Sequence, residues 1–158
     1  MNKPCLPPRG HALRKGRVSL PNHSYLLTTV TEQREPVFID FAAARLLIAC
    51  LKAVHNGGFA ESLAFVVMPD HLHWLVQLGE TMPLRRVVQT IKGRSSRLIG
   101  LQRQSGASKP LWQPGYHDHA LRSDEDVRQV ARYIVGNPIR AGLVEHIGDY
   151  PFWDAFWL

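Results

Sequence analysis

His71 and His73 flank one leucine inside an apolar run, residues 65–78, and side chains two apart on a strand project from the same face. Two imidazoles so placed are a pair of metal-ligand nitrogens. Left unligated among Leu, Trp and Val, each would need a hydrogen-bond partner or bear a desolvation cost of about 1–3 kcal/mol. Imidazole suits Zn, Fe or Ni by softness; completed by oxygen ligands and a phosphate, the same pair also suits Mn or Mg. A second candidate is Tyr133, in the segment Arg132-Tyr133-Ile134-Val135-Gly136-Asn137-Pro138. On helical spacing the apolar stripe is Val127, Val130, Ala131 and Ile134, and Tyr133 lies about a third of a turn from its centre, which fits either a flanking core residue or a nucleophile. Asp126, Asn137 and Arg140 share that flank if the helix persists, whereas Pro138 makes Asn137 equally a cap for a second short helix. His117-Asp118-His119 is a second H-x-H and a rival. Two such pairs could make a hydrolytic metal centre with Asp118 as general base. A hydrolase barrel needs at least about 200 residues, more than the 158 present, so His117 or His119 reads instead as structural or as touching DNA.

Charge suggests the substrate. There are 19 Lys and Arg against 13 Asp and Glu, a formal net charge of +6, and cations in excess favour polyanionic partners. They are clustered: no acid precedes Glu32, while Lys3, Arg9, Arg14, Lys15 and Arg17 fall in a Pro- and Gly-rich arm of about residues 1–20. A second acid-free stretch, residues 81–117, carries Arg85, Arg86, Lys92, Arg94, Arg97, Arg103 and Lys109. Arg14, Lys15, Arg17, Lys92, Arg94 and Arg97 are the candidate DNA contacts, and Trp112 is a candidate for base stacking; Trp74, opposite the histidines in strand alternation, reads as core, with stacking as the alternative. Read with this charge, the histidine pair and Tyr133 suggest a metal-assisted tyrosine nucleophile with a DNA phosphodiester as electrophile. Cys5 and Cys50 form neither a CxxC pair nor a disulfide framework, no run of about twenty apolar residues occurs, and the N-terminus lacks an apolar export signal, so a cytoplasmic, membrane-free protein is expected. GxxxxGK[ST], GxSxG and HExxH are all missing, leaving nucleotide-cofactor, serine-hydrolase and zincin readings without an anchor.

The elements that must position these groups follow from periodicity. Residues 25–31 read as a strand, and residues 40–55 as an amphipathic helix stopped by Asn56-Gly57-Gly58. Residues 63–68 and 72–78 read as a hairpin through Pro69-Asp70, residues 83–101 as a second helix, residues 102–110 as a loop and residues 116–121 as a fourth strand. Ser123 is expected to cap a third helix with Asp124-Glu125-Asp126 in its first turn. The order β-α-β-β-α-β-α is that of an α+β ferredoxin-like sandwich, an antiparallel sheet with helices on one face, in a single domain of residues 1–158. An aromatic tail of about residues 145–158, with Trp153, Phe156 and Trp157, could close the sheet, cover the site or meet a partner.

Six blocks in order resemble the REP-associated tyrosine transposases, relatives of the single-tyrosine, IS200-like transposases of HUH endonuclease type. They are Met68-Pro69-Asp70-His71-Leu72-His73-Trp74-Leu75, Ile91-Lys92, Leu111-Trp112-Gln113, Gly115-Tyr116-His117-Asp118-His119, Leu121-Arg122, and residues 133–144 from Tyr133 through Asn137 and Arg140. The resemblance implies that His71 and His73 hold a divalent metal, Mg2+ or Mn2+, that Tyr133 is the nucleophile, and that Asn137 stands where insertion-sequence relatives place a glutamine ligand. It implies a structure-specific endonuclease and strand transferase, nicking single-stranded DNA hairpins of the REP palindrome type through a 5′-phosphotyrosine, in transposition or repeat processing. Arg122 and Arg140 join the candidate DNA contacts, and the protein would associate with the nucleoid when DNA-bound, as monomer or homodimer. A tyrosine hydroxyl ionises near pH 10 in the free residue, so the metal and cations such as Arg140 are the candidates for assisting it. The alternatives are a catalytically silent DNA- or RNA-binding module and a metal-dependent nuclease using water.

Overall fold

A computed structural model describes residues 18–104, 109–122 and 125–157; Arg14, Lys15, Arg17 and Ser123 lie outside them. Strand β1 (Ser24–Val30) alternates half-buried and buried positions, and helix α1 (Phe41–Asn56) begins where the Asp40 carboxylate accepts the backbone N–H groups of Ala42 and Ala43. Strands β2 (Ala60–Met68) and β3 (His71–Leu78) form the expected hairpin through Pro69-Asp70. Helix α2 (Leu84–Gln102) starts after Pro83. Strand β4 (His117–Ala120), helix α3 (Val127–Val135), the single turn α4 (Asn137–Arg140) and strand β5 (Trp153–Ala155) complete the order.

The sheet runs β4-β1-β3-β2-β5 with every neighbouring pair antiparallel. Its first four strands give the ferredoxin-like order, and the aromatic tail closes the free edge of β2 with β5. Strand alternation divides the side chains between two cores. Leu72, Trp74, Val76 and Leu78 face α1 and α2, packing with Leu47, Leu51, Val87, Val88 and Ile91. Leu75, and with it the His71 and His73 parity, faces the other way, where Val66, Met68, Ala131, Ile134 and Val135 make a smaller core. The α1–α2 layer is therefore joined by α3 on the opposite side of the sheet, which puts the tyrosine helix over the histidine face.

Two local expectations change, the start of α3 and the stacking role of Trp112, while Trp74 is core as its strand parity suggests. Helix α3 starts at Val127, three residues later than expected, with Asp126 as its cap, the carboxylate accepting the Arg128 N–H. Neither candidate tryptophan is available to stack on bases. Trp74 is fully buried with its indole N–H on Ser62 Oγ at 2.8 Å, and Trp112 packs on Phe38 with its N–H on Ser95 Oγ at 3.0 Å. Each ring buries apolar surface where its one donor also finds an acceptor, the condition for a core tryptophan. Among the described residues no helix is long and apolar enough to cross a membrane.

Candidate active site

The histidine pair sits at the start of β3, with His71 opposite Val30 and Met68, and His73 opposite Thr28 and Val66. The ring centroids are 4.8 Å apart and nearly perpendicular. Each Nδ1 already has a partner: Asp70 Oδ1 lies 2.5 Å from His71, and Thr28 Oγ1 lies 2.8 Å from His73. With Nδ1–H donating to these oxygens, both rings carry the lone pair on Nε2, the tautomer of a metal-ligating histidine supported from behind. Arg34 donates to the second Asp70 oxygen at 3.1 Å. Burial alone would raise the Asp70 carboxyl, but the hydrogen bonds and charges of His71 and Arg34 outweigh it and hold it below its ordinary value. Burial, then the charges of His71 and Arg140, push the His73 imidazole down to about 4, so it is neutral at pH 7. Among the described residues no three His, Cys, Asp or Glu side chains are grouped to hold a metal ion. The two imidazoles fit a site completed by donors of other kinds, such as an amide oxygen, a substrate phosphate or water.

Above this face, Ala131, Ile134 and Val135 anchor α3, with Val127 and Val130 half-buried at its flank. Tyr133 is thereby turned outward and is 62% exposed. Arg140, one turn into α4, folds back so that its guanidinium lies 4.1 Å above the tyrosine ring. The same guanidinium donates to the Tyr133 carbonyl and to Asn137 Oδ1. Gly136 leaves room for this: a Cβ there would stand 2.9 Å from Arg140 Nη1. Tyr133, Asn137 and Arg140 thus form one group, and the Arg140 charge reaches His73. Asn137 makes no side-chain cap, and Asp126 is spent on the α3 cap.

The remaining candidates are spread more widely. Lys92 donates to the carbonyls of Gln113 and Gly115 at 2.6 and 2.7 Å, fastening the segment before β4 to α2. Arg94 and Arg97 are exposed on α2, across the sheet from the histidines, and Arg122 is exposed after β4. His117 pairs in register with Thr28, on the histidine face, and His119 Nε2 is hydrogen-bonded to the Glu125 carboxylate at 2.9 Å. Residue spacing did not bring out Asp70 or Thr28 as supports. The first has a signal, an acid directly before the pair, while the second depends on the β1–β3 register.

The profile of the family described as Transposase IS200 like matches residues 19–137. A REP-associated tyrosine transposase of Escherichia coli (strain K12) is 34% identical over 94 residues, 58% of this chain and 52% of that protein. This chain therefore spans about half the length of that curated relative. A Haemophilus influenzae relative is 29% identical over 136 residues, covering 81% of this chain and 77% of its own. Among solved structures, a REP-associated tyrosine transposase bound to a REP hairpin superposes with a TM-score of 0.72 at 26% identity, covering 87% of this chain and 79% of that one.

Proposed function

The chain belongs to the IS200-like transposase family, and on that footing we propose that it nicks and rejoins single-stranded DNA at REP-type hairpins, with Tyr133 as nucleophile and His71, His73 and Asn137 as ligands of Mg2+ or Mn2+. One observation carries the reading. Both imidazoles are fixed through Nδ1 by Asp70 and Thr28, leaving both Nε2 atoms for a metal, on the face that α3 covers, with Arg140 both stacked on Tyr133 and close enough for its charge to act on His73. A bound divalent ion there would polarise a nonbridging oxygen of the scissile phosphate.

The chain's own groups then do the following. Tyr133 Oη attacks phosphorus as the bond from phosphorus to the 3′ oxygen breaks. The tyrosine proton leaves to solvent, and the departing oxygen takes one up as a 3′-hydroxyl. A 3′-hydroxyl attacking the 5′-phosphotyrosine reverses the exchange, so phosphodiester energy is conserved and no nucleotide cofactor is needed. An exposed nucleophile suits a macromolecular substrate, and an unpaired strand offers an in-line phosphate more readily than a stacked duplex. His73, neutral well below pH 7, is ready to ligate across the physiological range.

The test is incubation of the protein and its Tyr133→Phe variant with 3′-end-labelled single-stranded hairpins from the flanks of its gene, with Mn2+ or Mg2+, followed by a denaturing protein gel. A labelled protein band seen only with Tyr133 supports the proposal. Cleavage without a band points to water as nucleophile, and binding without cleavage to a silent module.

A further inference from the structure

Arg140 makes more contacts to its own site than a DNA-contacting arginine needs. Its guanidinium stacks on the Tyr133 ring at 4.1 Å and donates to two neutral oxygens, the Tyr133 carbonyl and Asn137 Oδ1. Among the described residues it has no carboxylate partner. Asn137 Oδ1 is also the atom that the proposed metal site needs from this helix. An amide oxygen accepting from a guanidinium is turned toward that cation, so metal ligation and the Arg140 hydrogen bond compete for one orientation of one side chain.

Resting on the proposed metal and nucleophile, we infer that Arg140 is a phosphate-released latch: it parks Asn137 and Tyr133 in the DNA-free protein, and the incoming phosphodiester draws it off, freeing Asn137 for the metal. The exchange has a driving force. A guanidinium held by neutral oxygens trades them for a charged phosphate that it can grip bidentately, a stronger partner for the same donors. Gly136 is the part of the latch that sequence pattern does not explain. Its φ of −72° is helical and suits any residue, yet a Cβ there would press on Arg140 Nη1 at 2.9 Å. Glycine at this position admits the guanidinium against the helix end. Arg140 is on this view a positioning residue for the cleavage step, acting through Asn137 and Tyr133.

Gly136→Ala provides the discriminating test, because it displaces the flexible guanidinium while keeping its charge. All measurements use the full chain with Tyr133→Phe, which retains the ring and prevents turnover, and follow Mn2+ binding by electron paramagnetic resonance. Breaking the Asn137 hydrogen bond should tighten Mn2+ about fivefold or more in both Gly136→Ala and Arg140→Ala. Adding Asn137→Ala should abolish either gain, and saturating hairpin DNA should bring the parent up to the Gly136→Ala affinity. A gain in Arg140→Ala that survives Asn137→Ala and is missing from Gly136→Ala would reduce Arg140 to a repelling charge and overturn the latch. A gap between parent and Gly136→Ala that persists with DNA would overturn release by phosphate. Mn2+ binding that survives His71→Ala with His73→Ala would instead overturn the metal site beneath it. Binding that is lost there but unmoved by Gly136→Ala and Arg140→Ala would overturn the latch alone.

Discussion

Thr28→Val is the perturbation that separates a supported metal pair from two histidines that happen to share a strand face. Thr28 Oγ1 stands 2.8 Å from His73 Nδ1, and valine keeps the β-branched shape suited to a strand while removing the hydroxyl. Two losses follow. A half-buried imidazole N–H without its acceptor costs about 1–3 kcal/mol of stability, which lowers Tm by about 2–12 °C in a chain of this size. The ring also loses the hydrogen bond that keeps its proton on Nδ1, and such supporting partners are worth about 10–100-fold in metal affinity, or about 1.4–2.7 kcal/mol. Calorimetric titration with Mn2+ at pH 7 should show that drop in Thr28→Val, near-parental affinity in Thr28→Ser, and no binding in His73→Ala. Unchanged affinity in Thr28→Val, or equal loss in Thr28→Ser, would refute the claim that this hydroxyl sets up His73 as a ligand.

Further expectations concern Lys92, acid stability and Asp70. Lys92→Met should cost about 2 kcal/mol in denaturant unfolding, since two backbone carbonyls lose a charged donor; a DNA-contact role alone would instead reduce the salt slope of hairpin binding and leave stability unchanged. For His73, the folded protein resists protonation down to about pH 4 while the unfolded chain takes its proton near 6.5. Stability is therefore complete above about pH 6.5 and falls by up to about 3 kcal/mol as pH drops to 4, with His71 and Arg140 the cations facing the ring. Unfolding of the parent and His73→Gln at pH 7, 5.5 and 4.5 should show the slope only in the parent. Asp70, with its carboxyl held low by His71 and Arg34, contributes stability lost only below its ordinary range, so its window lies under that of His73. Asp70→Asn should weaken Mn2+ binding about tenfold or more, checked by the same titration.

Much of this arrangement was legible in residue order because it rests on local rules. His71 and His73 show one face by strand alternation. The helix read at residues 40–55 forms as α1, Pro83 opens α2, and the apolar stripe of α3 leaves Tyr133 on its flank. What escaped depends on which segments meet. That α3 covers the histidine face follows from the sheet closing under it, and periodicity within α3 is the same for either face. Thr28 gains its role from being opposite His73 in the β1–β3 register. Lys92 looks like one more cation of a basic helix until the segment before β4 brings the Gln113 and Gly115 carbonyls to it. Trp112 looks available for stacking until Ser95, 17 residues away, accepts its N–H inside the core. Trp153–Ala155 is too short a strand for any alternation to reveal; pairing with β2 defines it. The cap of α3 was hidden because Asp126, expected inside the first turn, is the residue whose carboxylate accepts the Arg128 N–H.

In the proposed reaction Tyr133 Oη becomes bonded to DNA phosphorus. The most direct measurement is mass spectrometry of the protein after reaction with a hairpin substrate and Mn2+, with the DNA trimmed by nuclease and the protein digested. A nucleotide-mass addition is expected on the peptide holding Tyr133, absent in Tyr133→Phe and in His71→Ala with His73→Ala, while hairpin affinity of Tyr133→Phe stays near the parent's. Cleaved DNA bearing free 5′-phosphates with no peptide adduct, or an adduct on any other residue, would contradict it.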